Sequence, residues 1–237
     1  MSRKKSRRTP RKPTGTTGHL SLDPHTRTAE FVMVKFPSTK PEIEQYVLDC
    51  TLAIVRKMGR NLYRLTAPAF QNFEQDFDFT LPTENGTQYL DLMEMKPTSG
   101  PYSAAPGSYR VWDFAQAIYG EIIKKAQKYG PNRRDVIHLL LYSTDHRFQP
   151  DFGVFQLLKV WLGQKRHCFR SVLHYSPADQ NSGELLRLFR TTPEERRCDI
   201  AELRERVIMM ADFTKLEVDA EGGASVPISP PPAGWRS

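Results

Sequence analysis

Glu94 and Lys96 stand two residues apart in Leu90-Asp91-Leu92-Met93-Glu94-Met95-Lys96-Pro97, a stretch that reads as a strand. Residues i and i+2 of an extended chain point to the same face, so this carboxylate and ammonium project side by side. Upstream, Phe73-Glu74-Gln75-Asp76-Phe77-Asp78-Phe79-Thr80-Leu81 places acids and aromatics with the same period. Between the two runs lies Pro82-Thr83-Glu84-Asn85-Gly86, and Asn-Gly is a strong hairpin signal. A hairpin over about residues 70–95 would carry the acids of one strand beside Glu94 and Lys96 on the other. Two or three acids with one lysine at one end of a sheet can hold a divalent cation and orient a water.

Such a site needs a scaffold, and the hydrophobic spacing supplies one. Ile43, Val47, Cys50, Ile54 and Met58 recur at helical intervals over about Lys40 to Met58, with Pro41 in the first turn and Gly59 as the stop. The Pro/Gly-rich stretch from Lys96 to Gly107 excludes regular structure. A second helix is expected over about Ser108 to Tyr129, with Val111, Ala115, Ile118, Ile122 and Ala126 on one face. The run Asp135 to Thr144 is almost continuously apolar, the pattern of a strand covered on both faces. A helix over about Phe152 to Gln164, strands near His167–Tyr175 and Leu185–Arg190, and a last helix opened by the capping box Thr192-Pro193-Glu194-Glu195 complete the series. A mixed sheet with helices on both sides follows.

Composition bounds the function classes. A chain of 237 residues with 39% hydrophobic content can bury one full core. It shows no apolar run long enough to span a bilayer and no secretory leader, so no membrane partner is expected. Cys50, Cys168 and Cys198 lie far apart with no paired spacing, which fits a reducing, cytoplasmic setting. The net charge of +7 is carried by the first twelve residues: removing Arg3, Lys4, Lys5, Arg7, Arg8, Arg11 and Lys12 leaves 27 basic against 27 acidic residues. Residues 1–28 read as a disordered basic tail able to attach to a polyanion. Residues 219–237 read as a Gly/Pro-rich C-terminal tail, and residues 29–218 as a single α/β domain.

The order helix, hairpin, helix, buried strand, with acids on the hairpin, resembles the PD-(D/E)XK nuclease superfamily. Its members carry an acid on one strand and an acid-x-lysine motif on the next, matched here by Asp78 (or Asp76) and by Glu94-Met95-Lys96. Glu44, with Glu42 as second choice, matches a glutamate of the preceding helix, and Gln116-Ala117-Ile118-Tyr119 matches a glutamine and tyrosine found in one branch. No proline precedes either aspartate. The resemblance covers roughly residues 40–145 and implies a restriction-endonuclease-like mixed central sheet flanked by helices. It implies Mg²⁺- or Mn²⁺-dependent hydrolysis of phosphodiesters, DNA above all, by a homodimer or a member of a larger complex.

In that reading Asp78 and Glu94 are the metal ligands, Lys96 orients or deprotonates the attacking water, Glu44 completes the metal shell, and Gln116 holds the nucleophile or a phosphate. Arg56, Lys57, Arg60 and Arg64, or Lys124, Lys125, Lys128, Arg133 and Arg134, could give the neutral body a local basic surface; Tyr119, Lys124, Arg133 and Arg134 are the candidate substrate contacts. Each residue also has a plain structural role open to it. The aspartates would form a solvated strand face, Glu94 and Lys96 a surface ion pair worth under about 1 kcal/mol, Gln116 a solvent contact and His138 a satisfied core histidine. On that alternative the chain is a non-catalytic nucleic-acid-binding or protein-interaction domain.

Overall fold

The apolar run at the centre of the sequence is the centre of the molecule: all six residues of Ile137–Tyr142 are buried. A computed structural model describes residues 17–23, 28–72, 77–95, 108–129, 135–209, 217–218 and 224–225. In chain order their elements are β1 (Gly18–Asp23), β2 (Thr28–Met33), α1 (Lys40–Lys57), β3 (Phe70–Gln71), β4 (Phe79–Thr83), β5 (Gly86–Glu94), β6 (Tyr109–Arg110), α2 (Val111–Gln127), β7 (Ile137–Tyr142), α3 (Phe152–Gln164), β8 (Phe169–Pro177), β9 (Gly183–Arg187), α4 (Ile200–Glu205), β10 (Val207–Ile208), β11 (Glu217–Val218) and β12 (Ala224–Ser225).

The chain is α/β, with a mixed six-stranded sheet in the order β3-β4-β5-β7-β8-β9. β4 and β5 are antiparallel, β5, β7 and β8 are parallel, and β9 returns antiparallel on β8. Parallel neighbours need crossovers, and α2 and α3 supply them. Both cover one face, where Phe114, Ile118, Ile122, Leu157 and Leu158 pack on Leu139, Leu141 and Val172. α1 covers the other face, packing Ile43, Val47, Leu48 and Ile54 among Phe79, Leu81, Leu90, Leu140 and Tyr175.

Local chemistry sets the element ends. Thr39 caps α1 through Glu42, whose Oε2 accepts from the Thr39 amide at 3.2 Å and hydroxyl at 2.7 Å. The β4–β5 loop is Glu84-Asn85, with Thr83 opposite Gly86 and Gly86 at φ +92°. That glycine supplies the left-handed residue of a bulged hairpin turn. The capping box at Thr192 forms, since the Thr192 amide donates to Glu195 Oε2 at 2.7 Å and the Glu195 amide to Thr192 Oγ1 at 3.2 Å. It opens only a 3-10 turn at Glu194–Arg196, and the last helix begins at Ile200, capped by Asp199.

The N-terminal boundary also differs from the sequence expectation. Residues 18–23, expected to lie in a tail ending at residue 28, pair with β2 in an antiparallel hairpin. His19 Nδ1 of that hairpin lies 2.9 Å from Ala178 O. Strand pairing and this tertiary contact outweigh the polar composition. Part of the expected C-terminal tail is paired too, since β12 meets β11. No helix among the described residues is long and apolar enough to cross a membrane.

Candidate active site

Where β4 stops short along β5, charged side chains take over its bonding. The register pairs Phe79 with Leu90, so its continuation would set Asp78 opposite Asp91 and Phe77 opposite Leu92. Asp78 precedes the first residue of β4, and its Oδ2 accepts the Leu92 amide at 2.7 Å. The Leu92 carbonyl accepts from Lys125 Nζ at 3.0 Å. Lys125 Nζ also lies 2.9 Å from Asp91 Oδ1, and the Tyr129 hydroxyl donates to Asp91 Oδ2. The backbone of Asp78 is tied down in turn, its carbonyl accepting from the Asn72 amide at 2.8 Å.

Side-chain alternation aims these groups. Leu90 and Leu92 point to α1, so Asp91 between them points to α2. There Phe77 stacks on Tyr129 at 5.0 Å and on Tyr89 at 4.5 Å, fixing the ring whose hydroxyl meets Asp91. From the α1 side comes Glu44. It sits in the buried stripe of α1 with Ile43, Val47 and Leu48, and Lys40 Nζ lies 3.0 Å from its Oε1 as an ion-pair partner.

The cluster is electrostatically crowded. Burial, then a hydrogen bond shared with Asp78, push Asp91 up to about 7 despite Lys125. Burial and the negative charge of Asp78 push Glu44 up to about 7 against the opposing Lys40. Asp78 thus couples to two buried carboxyls, Asp91 and Glu44, each met by an ammonium group and each raised to about 7. Like charges held this close disfavour full ionisation, and a hard divalent cation among them would reverse the shift.

The sequence candidates fall in four places. Asp78 and Glu44 belong to this cluster. Glu94 lies farther along β5 on the face opposite Asp91, where its Oε1 accepts from Thr144 Oγ1 at 2.6 Å. Gln116 is exposed on α2. It stands nine residues before Lys125, and at about 100° per residue the two are about 180° apart around the helix. Tyr119 packs edge-on against Trp161 with Lys165 over its ring, and Lys124 pairs with Glu121 at 2.8 Å on the surface. Glu42 is the cap of α1. Asp76, Lys96, Arg133 and Arg134 lie outside the described residues.

Sequence reasoning gave Asp91, Tyr129 and Lys40 no role in the site and placed Lys125 only in a candidate basic surface. Asp91 follows Asp78 by thirteen residues, a spacing that is a cross-strand pair only in the observed register, where Glu94 lies three residues beyond. Lys125 and Tyr129 share one helix face at i, i+4, but nothing in the sequence says that this face meets the hairpin.

A second buried polar group crosses the same sheet. His138 Nε2 lies 2.6 Å from Gln88 Oε1, and its Nδ1 lies 2.7 Å from Ser171 Oγ. Burial, with the charges of Arg170 and Arg190, lowers this imidazole to about 4. With an amide where a triad has a carboxylate, it is too weak a base to activate Ser171 near neutral pH. It is a satisfied core histidine, with the Tyr63 ring tilted against it at 4.7 Å.

The oxygen donors of Glu44, Asp78 and Asp91 suit Mg²⁺ by type. As they stand, with both Asp91 oxygens engaged, no group of three His, Cys, Asp or Glu among the described residues forms a ready metal-ligand set. No family model matches the chain, and no curated protein or solved structure is similar to it.

Proposed function

We propose that the chain is a metal-dependent nuclease of restriction-endonuclease-like fold that hydrolyses phosphodiester bonds in DNA, with its centre at Asp78 and Asp91. One observation carries the reading: two acids from adjacent strands share a hydrogen bond beside a third buried acid, two of them pushed up to about 7. The run α1, β4, β5, α2, β7 also has the element order of the PD-(D/E)XK resemblance, and Asp91 takes the strand position first assigned to Glu94. In this reading the chain works in a reducing, cytoplasmic setting.

Asp78 and Asp91 are the residues that would hold Mg²⁺, with Glu44 directly or through water. The bound ion would supply an acidified water and charge stabilisation at the phosphoryl oxygens. The chain's own residues do the rest. Lys125 sits at the position where an ammonium can steady the attacking water, and Met93, two residues after Asp91, leaves the usual lysine position of the strand motif without a charge. Tyr129 holds Asp91 in orientation from the other oxygen. Lys40 offsets the charge of Glu44.

A second reading has its own observation. The bonds from Leu92 to Asp78 and Lys125 satisfy a strand edge that β4 leaves open, so the same network serves a non-catalytic DNA-binding or protein-interaction domain as a structural plug.

Cleavage of linear, circular and single-stranded DNA with Mg²⁺ or Mn²⁺, by the wild-type chain and by Asp91→Asn, Glu94→Gln and Lys96→Ala, separates the possibilities. Loss in Asp91→Asn with retention in Glu94→Gln supports the centre proposed here. Loss only in Glu94→Gln and Lys96→Ala moves the centre to the strand end, and a folded wild type that cuts nothing favours the plug.

A further inference from the structure

We infer that the edge formed by the last turn of α2, the start of β8 and the turn after β9 is a docking surface for the sugar–phosphate backbone of duplex DNA, with Arg166, Arg170 and Arg190 as its phosphate contacts. The inference rests on the nuclease reading and adds the face from which substrate is held.

The first support is a backbone irregularity. β7 pairs Ile137 with Phe169 and then His138 with Ser171, so Arg170 is an extra residue in β8. A bulge re-aims its side chain and is tolerated where that serves a purpose. Arg170 Nη1 donates to the Asp135 carbonyl at 3.1 Å, and Arg190 Nη2 lies 3.0 Å from Asp135 Oδ1. Asp135 and Arg190 both hold left-handed backbone, at φ +64° and +63°. Each costs on the order of 1 kcal/mol for a residue with a side chain. Two strained residues and a bulge thus present two guanidinium groups at one strand end.

Charge is the second support. The chain beyond its first twelve residues carries equal numbers of acids and bases, so a local excess means that cations have been gathered there. At this edge Arg166 and Arg190 are exposed and Arg170 is half-buried, with Asp135 paired to Arg190. Both guanidinium charges are felt at the buried His138, and Asp135 is felt at His167.

Position is the third. Cys168 Sγ lies 3.6 Å from Ala126 O, locking the start of β8 against the final turns of α2. A cavity of about 280 Å³ between them is lined by Tyr129, Gln127, Arg166 and His167. Tyr129 is the residue whose hydroxyl holds Asp91, so the arginine edge borders the acid cluster through one side chain. A duplex lying along the edge would have its backbone beside Asp78 and Asp91, and phosphate neutralisation by arginine is independent of sequence.

The test is a fluorescence-anisotropy titration of a linear DNA duplex with the full chain, without divalent cation, over a range of salt. The triple variant Arg166→Gln, Arg170→Gln, Arg190→Gln is expected to flatten the plot of log affinity against log salt by about 2 to 3. Arginine-to-lysine replacement at the same positions should restore the slope, since the charge is kept. Arg166→Gln alone, at an exposed side chain, should flatten it by about 1, while Lys35→Gln, beside Gln180 at the opposite end of β8, leaves it unchanged. An unchanged slope in the folded triple variant, or a lysine replacement that fails to restore the slope, overturns the surface. Metal-dependent cutting by the wild type, measured separately, tells that result from failure of the nuclease reading, which would remove cleavage as well.

Discussion

The acid cluster at Asp78 and Asp91 and the row Gln88–His138–Ser171 lie a few residues apart along β5, on opposite faces and in opposite electrostatic states. The row is neutral, and each imidazole nitrogen has a partner within 2.7 Å. It costs little once made and much if broken, because a buried polar group left alone keeps its full desolvation cost. The cluster is bonded too, yet Asp91, with Glu44 beside Asp78, is pushed toward the neutral form. A sheet can carry buried polarity that stabilises it beside buried polarity that strains it, and the strained member is the better candidate for function.

The largest expected effect tests that assignment at the cluster. Asp91→Asn or Asp78→Asn should lower metal-dependent DNA cleavage by at least about 10³-fold, worth about 4 kcal/mol of transition-state stabilisation, while urea unfolding at neutral pH shows a chain as stable as wild type or more so. A chelator should abolish the same cleavage reversibly.

The row should behave in the opposite way. His138→Ala opens a cavity and leaves Gln88 and Ser171 unpaired, so a loss of about 3 kcal/mol in urea unfolding is expected, with cleavage per folded molecule unchanged. Full stability with lost cleavage would reverse the two roles.

Acid and base titration should set the two regions against each other. Glu44 and Asp91, with folded values near 7 against ordinary carboxylate values, bind protons more tightly folded than unfolded, so their contribution falls as pH rises from about 4 to about 7. His138 near 4 and His174 near 3, both lowered by burial, bind protons less tightly folded than unfolded. Their contribution rises up to about pH 6.5. The wild-type profile between pH 4 and 6.5 is therefore a partial cancellation. Glu44→Gln together with Asp91→Asn should leave stability climbing with pH, by on the order of 2 kcal/mol; a profile unchanged by these substitutions would mean that neither acid is held protonated.

The smallest effect belongs to Gln116→Ala. On the far side of α2 from Lys125, it should change cleavage by less than about twofold and stability by less than about 0.5 kcal/mol.

Much of the scaffold was legible because periodicity and burial agree. The stripe of α1, the doubly covered β7 and the apolar face of α2 lie within a few residues of their expected bounds. The hairpin was legible as a hairpin but not in register. An Asn85-Gly86 loop pairs Glu84 with Thr87 and therefore Asp78 with Met93; the observed Glu84-Asn85 loop sets Asp78 opposite Asp91. One step at the turn decides which acid stands beside Asp78. Glu44 was legible by position, yet Lys125 and Tyr129 were not, since their meeting with Asp91 depends on how a crossover helix docks. The Thr192 box shows the converse: a real local signal makes its two bonds and still fails to start a long helix.

The sequence separation of the partners in the acid cluster bears on how the chain folds. Asp78 reaches Leu92 across 14 residues within one hairpin, whereas Lys125 and Tyr129 reach the same strand across 33 and 38. Hairpins close in microseconds, ahead of contacts that wait for a longer loop. β4 and β5 therefore meet while their aspartates face each other without the ammonium that later pairs with Asp91. Protonation relieves that early repulsion, so refolding followed by stopped-flow fluorescence should speed up as pH falls from about 8 toward about 5.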